Sequence, residues 1–229
     1  METVLITGAN RGIGFELTRQ YLTRGAQVIA TCRDPDTAHD LQDMGVHNDR
    51  LLIAPLDVRD QTSVDALAQT IDRKPLDIVI NNAGVMGGDH QRLDDMDYDA
   101  WTETLETNTI APFRVAAALV PNLKQTPRPR LITVSSQMGS LNRQSTGAYI
   151  YRSSKAAVNK VMQVMSLELR SDGIIVCPVH PGWVRTDMGG PSADISVEES
   201  VRGLTCLISR LTIEDSGKFF QWNGEEHAW

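Results

Sequence analysis

Cysteine is scarce in this sequence, and a pattern of metal-ligating residues is missing. The three cysteines, Cys32, Cys177 and Cys206, are odd in number and widely spaced, which favours reduced thiols over a disulfide framework. We expect all three to be structural residues in apolar surroundings. The five histidines show no metal-ligand spacing among themselves or with the cysteines, so no metal site is expected.

Basic stripes, targeting signals and long apolar runs are also missing. The 22 lysines and arginines are outnumbered by 29 acidic residues, and the net charge of −7 leaves no surface typical of nucleic-acid binding. The first residues, Met1–Val4, lack the basic and apolar segments of a secretory signal, and no apolar run is long enough to span a bilayer. We therefore expect a cytoplasmic protein with no nucleic-acid partner and no transmembrane segment.

Short β-type runs alternate with longer helical stretches along the whole chain. This alternation predicts an α/β fold: a Rossmann-type, doubly wound, seven-stranded parallel sheet with helices on both faces. At 229 residues with no linker-like segment, the chain is predicted to be a single domain, 1–229. The predicted strands are 3–7, 27–32, 51–55, 76–80, 130–135, 174–179 and 217–221. The predicted helices are 12–24, 36–43, 61–73, 97–119, 149–171 and 197–210.

Four chemical signatures lie where predicted strands end. They are the glycine-rich turn Gly8–Gly14, the run Asn81–Gly84, the pair Ser135–Ser136, and Pro181–Gly182. In a parallel α/β sheet, ligands bind beyond the carboxyl ends of the strands. We therefore expect the four signatures to surround one pocket.

The glycine-rich turn lies between a predicted strand and a predicted helix. Glycines at this place let the backbone turn tightly, approach a pyrophosphate and point a helix N-terminus at negative charge. The turn therefore predicts a dinucleotide site formed by Gly8, Asn10, Arg11, Gly12, Ile13 and Gly14.

The charged residues near the second predicted strand indicate which dinucleotide the site binds. Asp34 lies 20 residues after Gly14, the place of an NAD-ribose carboxylate, but the first charged side chain after the second strand is Arg33. Together with Arg11, Arg33 offers two guanidinium groups to a 2′-phosphate, which favours NADP(H). The alternative is that Arg33 is a solvated loop residue paired with Asp34.

A carboxylate follows the third strand. The carboxylate of Asp57 is placed to accept a hydrogen bond from the adenine amino group of a dinucleotide, and its neighbour Val58 is expected to contact the cofactor as well. The alternative role of Asp57 is to cap the following helix, although Asp60 is better placed for that.

Tyr151 and Lys155 are four residues apart on a predicted helix and therefore share one face. An ammonium group near a phenol stabilises the phenolate, so we expect the pKa of Tyr151 to lie below its usual value. Tyr149 is six residues from Lys155, which places it on another helical face. Asn108, a poor helix former among apolar neighbours, is expected to be buried with hydrogen-bond partners.

The signatures occur in an order that closely resembles the short-chain dehydrogenase/reductase family over essentially the whole chain. The matching motifs are Thr7-Gly8-x3-Gly12-Ile13-Gly14, Asn81-Asn82-Ala83-Gly84, Asn108, Ser136, Tyr151-x3-Lys155 and Pro181-Gly182. The local sequence in Ser135–Leu141 and Tyr149–Lys155 is most similar to the carbonyl-reductase-like branch that includes the proteins called C-factor and sniffer. Members of that branch use NADP(H).

The resemblance implies a role for each matching residue. Tyr151 would donate a proton to a substrate carbonyl oxygen, Ser136 would orient that oxygen, and Lys155 would bind the nicotinamide ribose. Asn108 would hold a water that links Lys155 to solvent. Further cofactor contacts are implied for Tyr151, Asn81, Ala83, Gly84, Pro181, Gly182, Val184 and Thr186.

Two assignments stay open. Ser136 precedes Tyr151 by 15 residues, slightly more than in many family members, which implies an insertion within 139–148. Ser135 is therefore an alternative to Ser136, and Tyr149 an alternative to Tyr151, although Ser136 and Tyr151 are favoured.

The sequence predicts an NADP(H)-dependent oxidoreductase that reduces a small or medium aldehyde or ketone, or oxidises the corresponding alcohol. The alternative is a dinucleotide-sensing signalling protein of the C-factor type, and a nucleotide-sugar epimerase or dehydratase is a weaker third hypothesis. Because members of the family often pair, the resemblance favours a homodimer or homotetramer, whereas monomers occur in the carbonyl-reductase-like branch. The segment Gly189–Asp194 is expected to be a mobile loop and a candidate substrate lid.

Overall fold

The computed structural model describes residues 1–229, and its centre is a seven-stranded parallel sheet. In chain order, the strands are β1 (Thr3–Thr7), β2 (Gln27–Cys32), β3 (Leu51–Pro55), β4 (Ile78–Asn81), β5 (Gln91–Arg92), β6 (Asp95–Met96), β7 (Arg130–Val134), β8 (Ile175–His180) and β9 (Phe220–Gln221). The large sheet has the order β3-β2-β1-β4-β7-β8-β9, while β5 and β6 form a separate antiparallel hairpin. The predicted doubly wound parallel sheet is confirmed.

Seven α-helices surround the sheet. They are α1 (Gly12–Thr23), α2 (His39–Val46), α3 (Gln61–Ile71), α4 (Tyr98–Leu105), α5 (Ala111–Leu123), α6 (Tyr149–Glu168) and α7 (Val197–Arg210). None of the helices is long and apolar enough to cross a membrane.

The helices pack on both faces of the sheet because strand side chains alternate in direction. In β1, Val4 and Ile6 belong to an apolar core with side chains of α1, α2 and α7, whereas Leu5 belongs to a second core with α3, α5 and α6. The two apolar cores cover the two faces of the sheet. The carboxyl ends of the strands therefore stay free for the loops that form the site.

Several predicted boundaries differ from the structure. The predicted helix 97–119 is two helices joined by a π-helical turn, Glu106–Ile110, and Pro121 lies inside α5 instead of ending it. The predicted strand 217–221 is shortened to Phe220–Gln221, because Gly217 has a φ of 88° that no strand residue adopts. The hairpin β5–β6 was not predicted, since its strands are short and mostly polar.

One expectation about the cysteines is wrong. Cys32 and Cys177 are buried, but Cys206 is exposed. The reason is the amphipathic pattern of α7, whose neighbouring residues Leu204 and Leu207 face the core and leave position 206 on the outer side.

Candidate active site

The glycine-rich turn and the run Asn81–Gly84 form one hydrogen-bonded unit. The side-chain amide of Asn82 donates to the carbonyl oxygens of Thr7 (2.9 Å) and Gly8 (3.0 Å). In return, the hydroxyl of Thr7 accepts from the backbone N–H groups of Asn82 and Ala83, each at 3.0 Å. Two of the four predicted signatures are therefore locked together at the ends of β1 and β4.

The conformation of the turn requires glycine. Gly8 and Gly12 have φ values of 64° and 54°, a region that other residues rarely adopt. A Cβ on Gly14 would lie 2.3 Å from the carbonyl oxygen of Gly8. A Cβ on Gly12 would lie 3.5 Å from Thr186, so the turn also meets the segment that follows β8.

The two arginines are exposed in different settings. Arg33 forms no ion pair, and Asp34 instead accepts a hydrogen bond from the backbone N–H of Asp36 at the start of a short 3₁₀ turn. The alternative Arg33–Asp34 pair is therefore not formed. Arg11 pairs with Asp187 at 3.1 Å, and both side chains are largely exposed. Because exposed pairs contribute little free energy, a phosphate can compete for Arg11 at low cost.

The loop after β3 is held in part by a residue that is far away in the sequence. Asp57 accepts a hydrogen bond from the N–H of Arg59 (2.9 Å), and Asp60 caps α3 as expected. Arg114, on α5, donates to the carbonyl oxygens of Val58 (3.1 Å) and Arg59 (2.9 Å). Its guanidinium also pairs with Glu106 of the π-helical turn at 2.7 Å. No sequence pattern indicated this role of Arg114, since the contact joins residues far apart in the chain.

Tyr151 and Lys155 are both buried on the same face of α6. The Lys155 Nζ lies 5.6 Å from the centre of the Tyr151 ring and donates to the Val134 carbonyl oxygen at 2.9 Å. A Cβ on Gly84 would lie 3.5 Å from the same Nζ. Lys155 therefore connects α6 to the end of β7 and to the Asn81–Gly84 run. Tyr149 is exposed and lies on another face.

The consecutive serines have different partners. The Ser136 hydroxyl accepts from the N–H of Met138 at 3.1 Å and lies near the Tyr151 phenol, where it acts to lower the pKa of that phenol. The Ser135 hydroxyl points the opposite way and donates to the Asn159 Oδ1 at 2.6 Å. The side chain next to the phenol is therefore that of Ser136, as favoured from the sequence.

The expected direction of the Tyr151 pKa shift is wrong. Burial raises the pKa of Tyr151 to about 12, and the Ser136 hydroxyl opposes this shift only in part. Burial also lowers the pKa of Lys155 to about 8. The sequence argument considered only the neighbouring ammonium group, whereas loss of water around the phenolate dominates in the folded chain. At neutral pH, the phenol therefore keeps its proton.

Asn108 lies in the π-helical turn and is buried, as expected. Its Oδ1 accepts from the Val85 N–H at 2.9 Å, and its Nδ2 donates to the Val85 carbonyl oxygen at 2.8 Å. The same Nδ2 donates to the Ser154 hydroxyl at 3.0 Å. Asn108 thus joins the segment after β4 to α6, and the water link to Lys155 stays a prediction.

The predicted mobile loop, Gly189–Asp194, is tied to the segment that follows β8. The Trp183 indole donates to the Gly189 carbonyl oxygen at 2.8 Å, and Thr186 accepts hydrogen bonds from the N–H groups of Gly189 and Gly190. Gly182 has a φ of 89°, and Val184 forms a β-bridge with Ile195. The loop is therefore hydrogen-bonded to Trp183 and Thr186, and its role as a substrate lid stays a prediction.

The residues present fit a bound dinucleotide. The side-chain oxygen of Asn81 is buried and has no hydrogen-bond partner, although its amide nitrogen bonds to the Pro112 carbonyl oxygen at 3.2 Å. A buried acceptor requires a donor, such as a hydroxyl group or a water. Asn81 lies close to Val58 and Ala83, two other residues of the predicted cofactor site.

Comparison with known proteins identifies the family. The family model for short chain dehydrogenases matches residues 2–195. The chain belongs to the short-chain dehydrogenase family. It is 44% identical over 165 residues to a protein named C-signal from Myxococcus xanthus, covering 72% of this chain and 99% of that protein. It is 37% identical to 1-hydroxy-2-glutathionyl-2-methyl-3-butene dehydrogenase from Rhodococcus sp. (strain AD45), covering 100% of both chains.

A solved structure supports the carbonyl-reductase-like branch. The NADPH-bound carbonyl reductase from chicken fatty liver has a TM-score of 0.94 to this chain at 36% identity. The likeness covers 100% of this chain and 99% of that one. The family resemblance predicted from the ordered motifs is confirmed.

Proposed function

We propose that this short-chain dehydrogenase is an NADP(H)-dependent oxidoreductase that reduces an aldehyde or ketone, or oxidises the corresponding alcohol. The observation that carries the proposal is the burial of Tyr151, Lys155 and Ser136 in one place, where the end of β7 meets the first turns of α6. A phenol, an ammonium group and a hydroxyl at one strand end can bind and protonate a carbonyl oxygen.

The glycine-rich turn and the segments around it would hold the cofactor. The turn would bind the pyrophosphate, and Arg33 and Arg11 would bind the 2′-phosphate. The loop of Asp57 and Val58 would bind the adenine. Asn81, Ala83, Gly84 and Lys155 would bind the ribose next to the nicotinamide, and the segment Pro181–Thr186 its carboxamide. NADPH, which is bound in the structure of the chicken carbonyl reductase, would supply the hydride in this protein.

The side chains around the carbonyl would supply the proton and its orientation. Tyr151 holds its proton at neutral pH because burial raises its pKa to about 12, which suits donation to a developing alkoxide. Ser136 would donate a second hydrogen bond to the same oxygen. The positive charge of Lys155 would favour the phenolate that remains after the proton has left. At neutral pH, the phenol therefore has the protonated form that reduction would need.

A second candidate function is dinucleotide sensing by a signalling protein, which the identity to C-signal favours. A sensor requires the glycine-rich turn but not a buried phenol beside a hydroxyl and a lysine. The complete set of Ser136, Tyr151 and Lys155 therefore supports the enzyme.

We further propose one catalytic domain over 1–229, a cytoplasmic location and association into a homodimer or homotetramer. Support for association comes from exposed apolar side chains on the helices near Asn108 and on the Tyr151 helix, namely Phe113, Val164 and Leu167. Size-exclusion chromatography with light scattering measures the oligomeric state directly.

The function is tested by incubating the protein with a panel of aldehydes, ketones and alcohols. Turnover is measured as the change in the absorbance of NADPH. We expect turnover of at least one carbonyl compound by the wild type. Binding of NADPH without turnover across the panel would instead favour the sensor.

A further inference from the structure

The helix that carries Tyr151 begins without a local cap. The first backbone N–H groups of any helix lack partners within the helix, and a side-chain oxygen just before it commonly accepts from one of them. Ala148 occupies that position in α6, has a φ of 52° and offers no side-chain oxygen. The cap must therefore come from elsewhere in the chain.

Gln91 supplies this cap from 60 residues away. Its Oε1 accepts the backbone N–H of Tyr151 at 3.1 Å. Its Nε2 donates to the carbonyl oxygens of Met86 (2.9 Å) and Gly88 (2.7 Å). Because the nitrogen faces two carbonyl oxygens, the amide has only one orientation, with its oxygen towards α6. Gln91 is buried, so water cannot replace these bonds easily.

The segment from Gly84 to Gln91 is also packed tightly against α6. A Cβ on Gly87 would lie 2.5 Å from the side chain of Ile150, the residue before Tyr151. Further along, Asn108 joins Val85 to Ser154. The segment that leaves β4 therefore contacts α6 on both sides of Tyr151 along the helix.

We propose that Gln91 is a positioning residue for Tyr151, an inference that rests on the proposed carbonyl reduction. By holding the N–H of Tyr151, Gln91 fixes the first turn of α6 and so the place of the phenol beside Ser136. The same amide ties this turn to the segment that follows the cofactor-binding run Asn81–Gly84. Proton transfer depends steeply on the position of the donor, so small displacements of this turn reduce turnover.

Kinetics of Gln91→Met test the proposal, with Arg92→Met as the matched control on the same strand. Methionine keeps the length of glutamine but can neither accept nor donate these hydrogen bonds. We expect kcat for carbonyl reduction to fall roughly 10- to 100-fold while the Kd for NADPH changes less than about twofold. The exposed side chain of Arg92 bonds to the carboxylate of Asp94, and Arg92→Met should retain wild-type kcat.

Rescue by Gln91→Glu separates positioning from general stability. A neutral carboxyl group retains an acceptor for the Tyr151 N–H and has one O–H donor in place of the two amide N–H donors. We expect its kcat to lie between those of Gln91→Met and the wild type. Equal kcat in Gln91→Met, Arg92→Met and the wild type would overturn the proposal, as would a loss in Gln91→Met matched by an equal loss of NADPH affinity.

Amide hydrogen exchange provides a readout that needs no substrate. In the wild type, the Tyr151 N–H should be protected, and in Gln91→Met it should exchange faster while amides in the middle of α6 keep their protection. Unchanged exchange at Tyr151 would overturn the proposal, even if Gln91→Met lost activity. Failure of the wild type to reduce any carbonyl would refute the proposed function, whereas this exchange result would still decide whether Gln91 holds the helix.

Discussion

The Lys155 ammonium lies beside the Tyr151 ring, 5.6 Å from its centre, and not on the phenol oxygen. Its hydrogen bond goes to the Val134 carbonyl oxygen, which holds it at the end of β7. The polar partner of the phenol is instead Ser136. Burial therefore controls the pKa of Tyr151, and Lys155 is held near the Gly84 backbone, where the ribose would bind.

The first prediction concerns the choice of cofactor. Arg33→Ala should weaken NADPH binding by about 1.5–3 kcal/mol, or roughly 10- to 150-fold in Kd, because one charge-assisted contact to the 2′-phosphate is lost. Binding of NADH should hardly change. Fluorescence titration of both cofactors measures this, with the exposed Arg24→Ala at the far end of α1 as control. Equal affinity of the wild type for NADPH and NADH would refute the assignment.

The second prediction separates the two adjacent serines. Ser136→Ala should lower kcat by roughly 100-fold or more with NADPH affinity retained, since a hydrogen bond to the reacting oxygen is lost. Ser135→Ala should instead lower the free energy of unfolding by about 1–3 kcal/mol, because it removes the donor to the buried Asn159 Oδ1. Steady-state kinetics and urea denaturation of both variants decide the matter. The reverse pattern would assign the carbonyl to Ser135.

The third prediction is the pH dependence. Reduction needs the Tyr151 proton, and a pKa raised to about 12 retains that proton through neutral pH. The rate of reduction should thus be level near neutrality and fall in the alkaline range, where Lys155, with a pKa lowered to about 8, loses its charge first. Alcohol oxidation needs the phenolate and should rise with pH. A reduction rate that increases with pH would contradict this assignment of the proton donor.

The fourth prediction concerns the adenine end of the site. Arg114→Met removes the two hydrogen bonds that hold the loop of Asp57 and Val58, and also the ion pair with Glu106. The Kd for NADPH should rise by roughly tenfold, the free energy of about one net hydrogen bond, while kcat at saturating NADPH changes little. Calorimetric titration measures the Kd. A normal Kd would show that the loop keeps its shape without Arg114.

Much of the fold was predictable because its signals are local. Apolar runs such as Val4–Ile6 end at glycines or polar residues, so the strand ends and the motifs beyond them follow directly from the sequence. The capping of α3 by Asp60 is likewise a local property. So is the placement of Tyr149 and Tyr151 on different faces of α6.

The remainder depends on contacts between residues far apart in the chain. Gln91 meets Tyr151, and Arg114 meets Val58, across more than 50 residues in each case, and no periodicity indicates such pairs. The pKa of Tyr151 was predicted in the wrong direction for the same reason. Spacing on a helix reveals the neighbouring lysine, whereas burial of the phenol depends on the whole fold.

The most direct test of the account is transfer of deuterium from NADPH labelled at the nicotinamide C4, in the position that is transferred, to a carbonyl substrate identified by the panel. Mass spectrometry of the product should find one deuterium on the carbinol carbon with the wild type. Tyr151→Phe should bind NADPH normally but form this product far more slowly, because the proton donor is gone. Absence of deuterated alcohol with the wild type, or equal rates with Tyr151→Phe, would contradict the account.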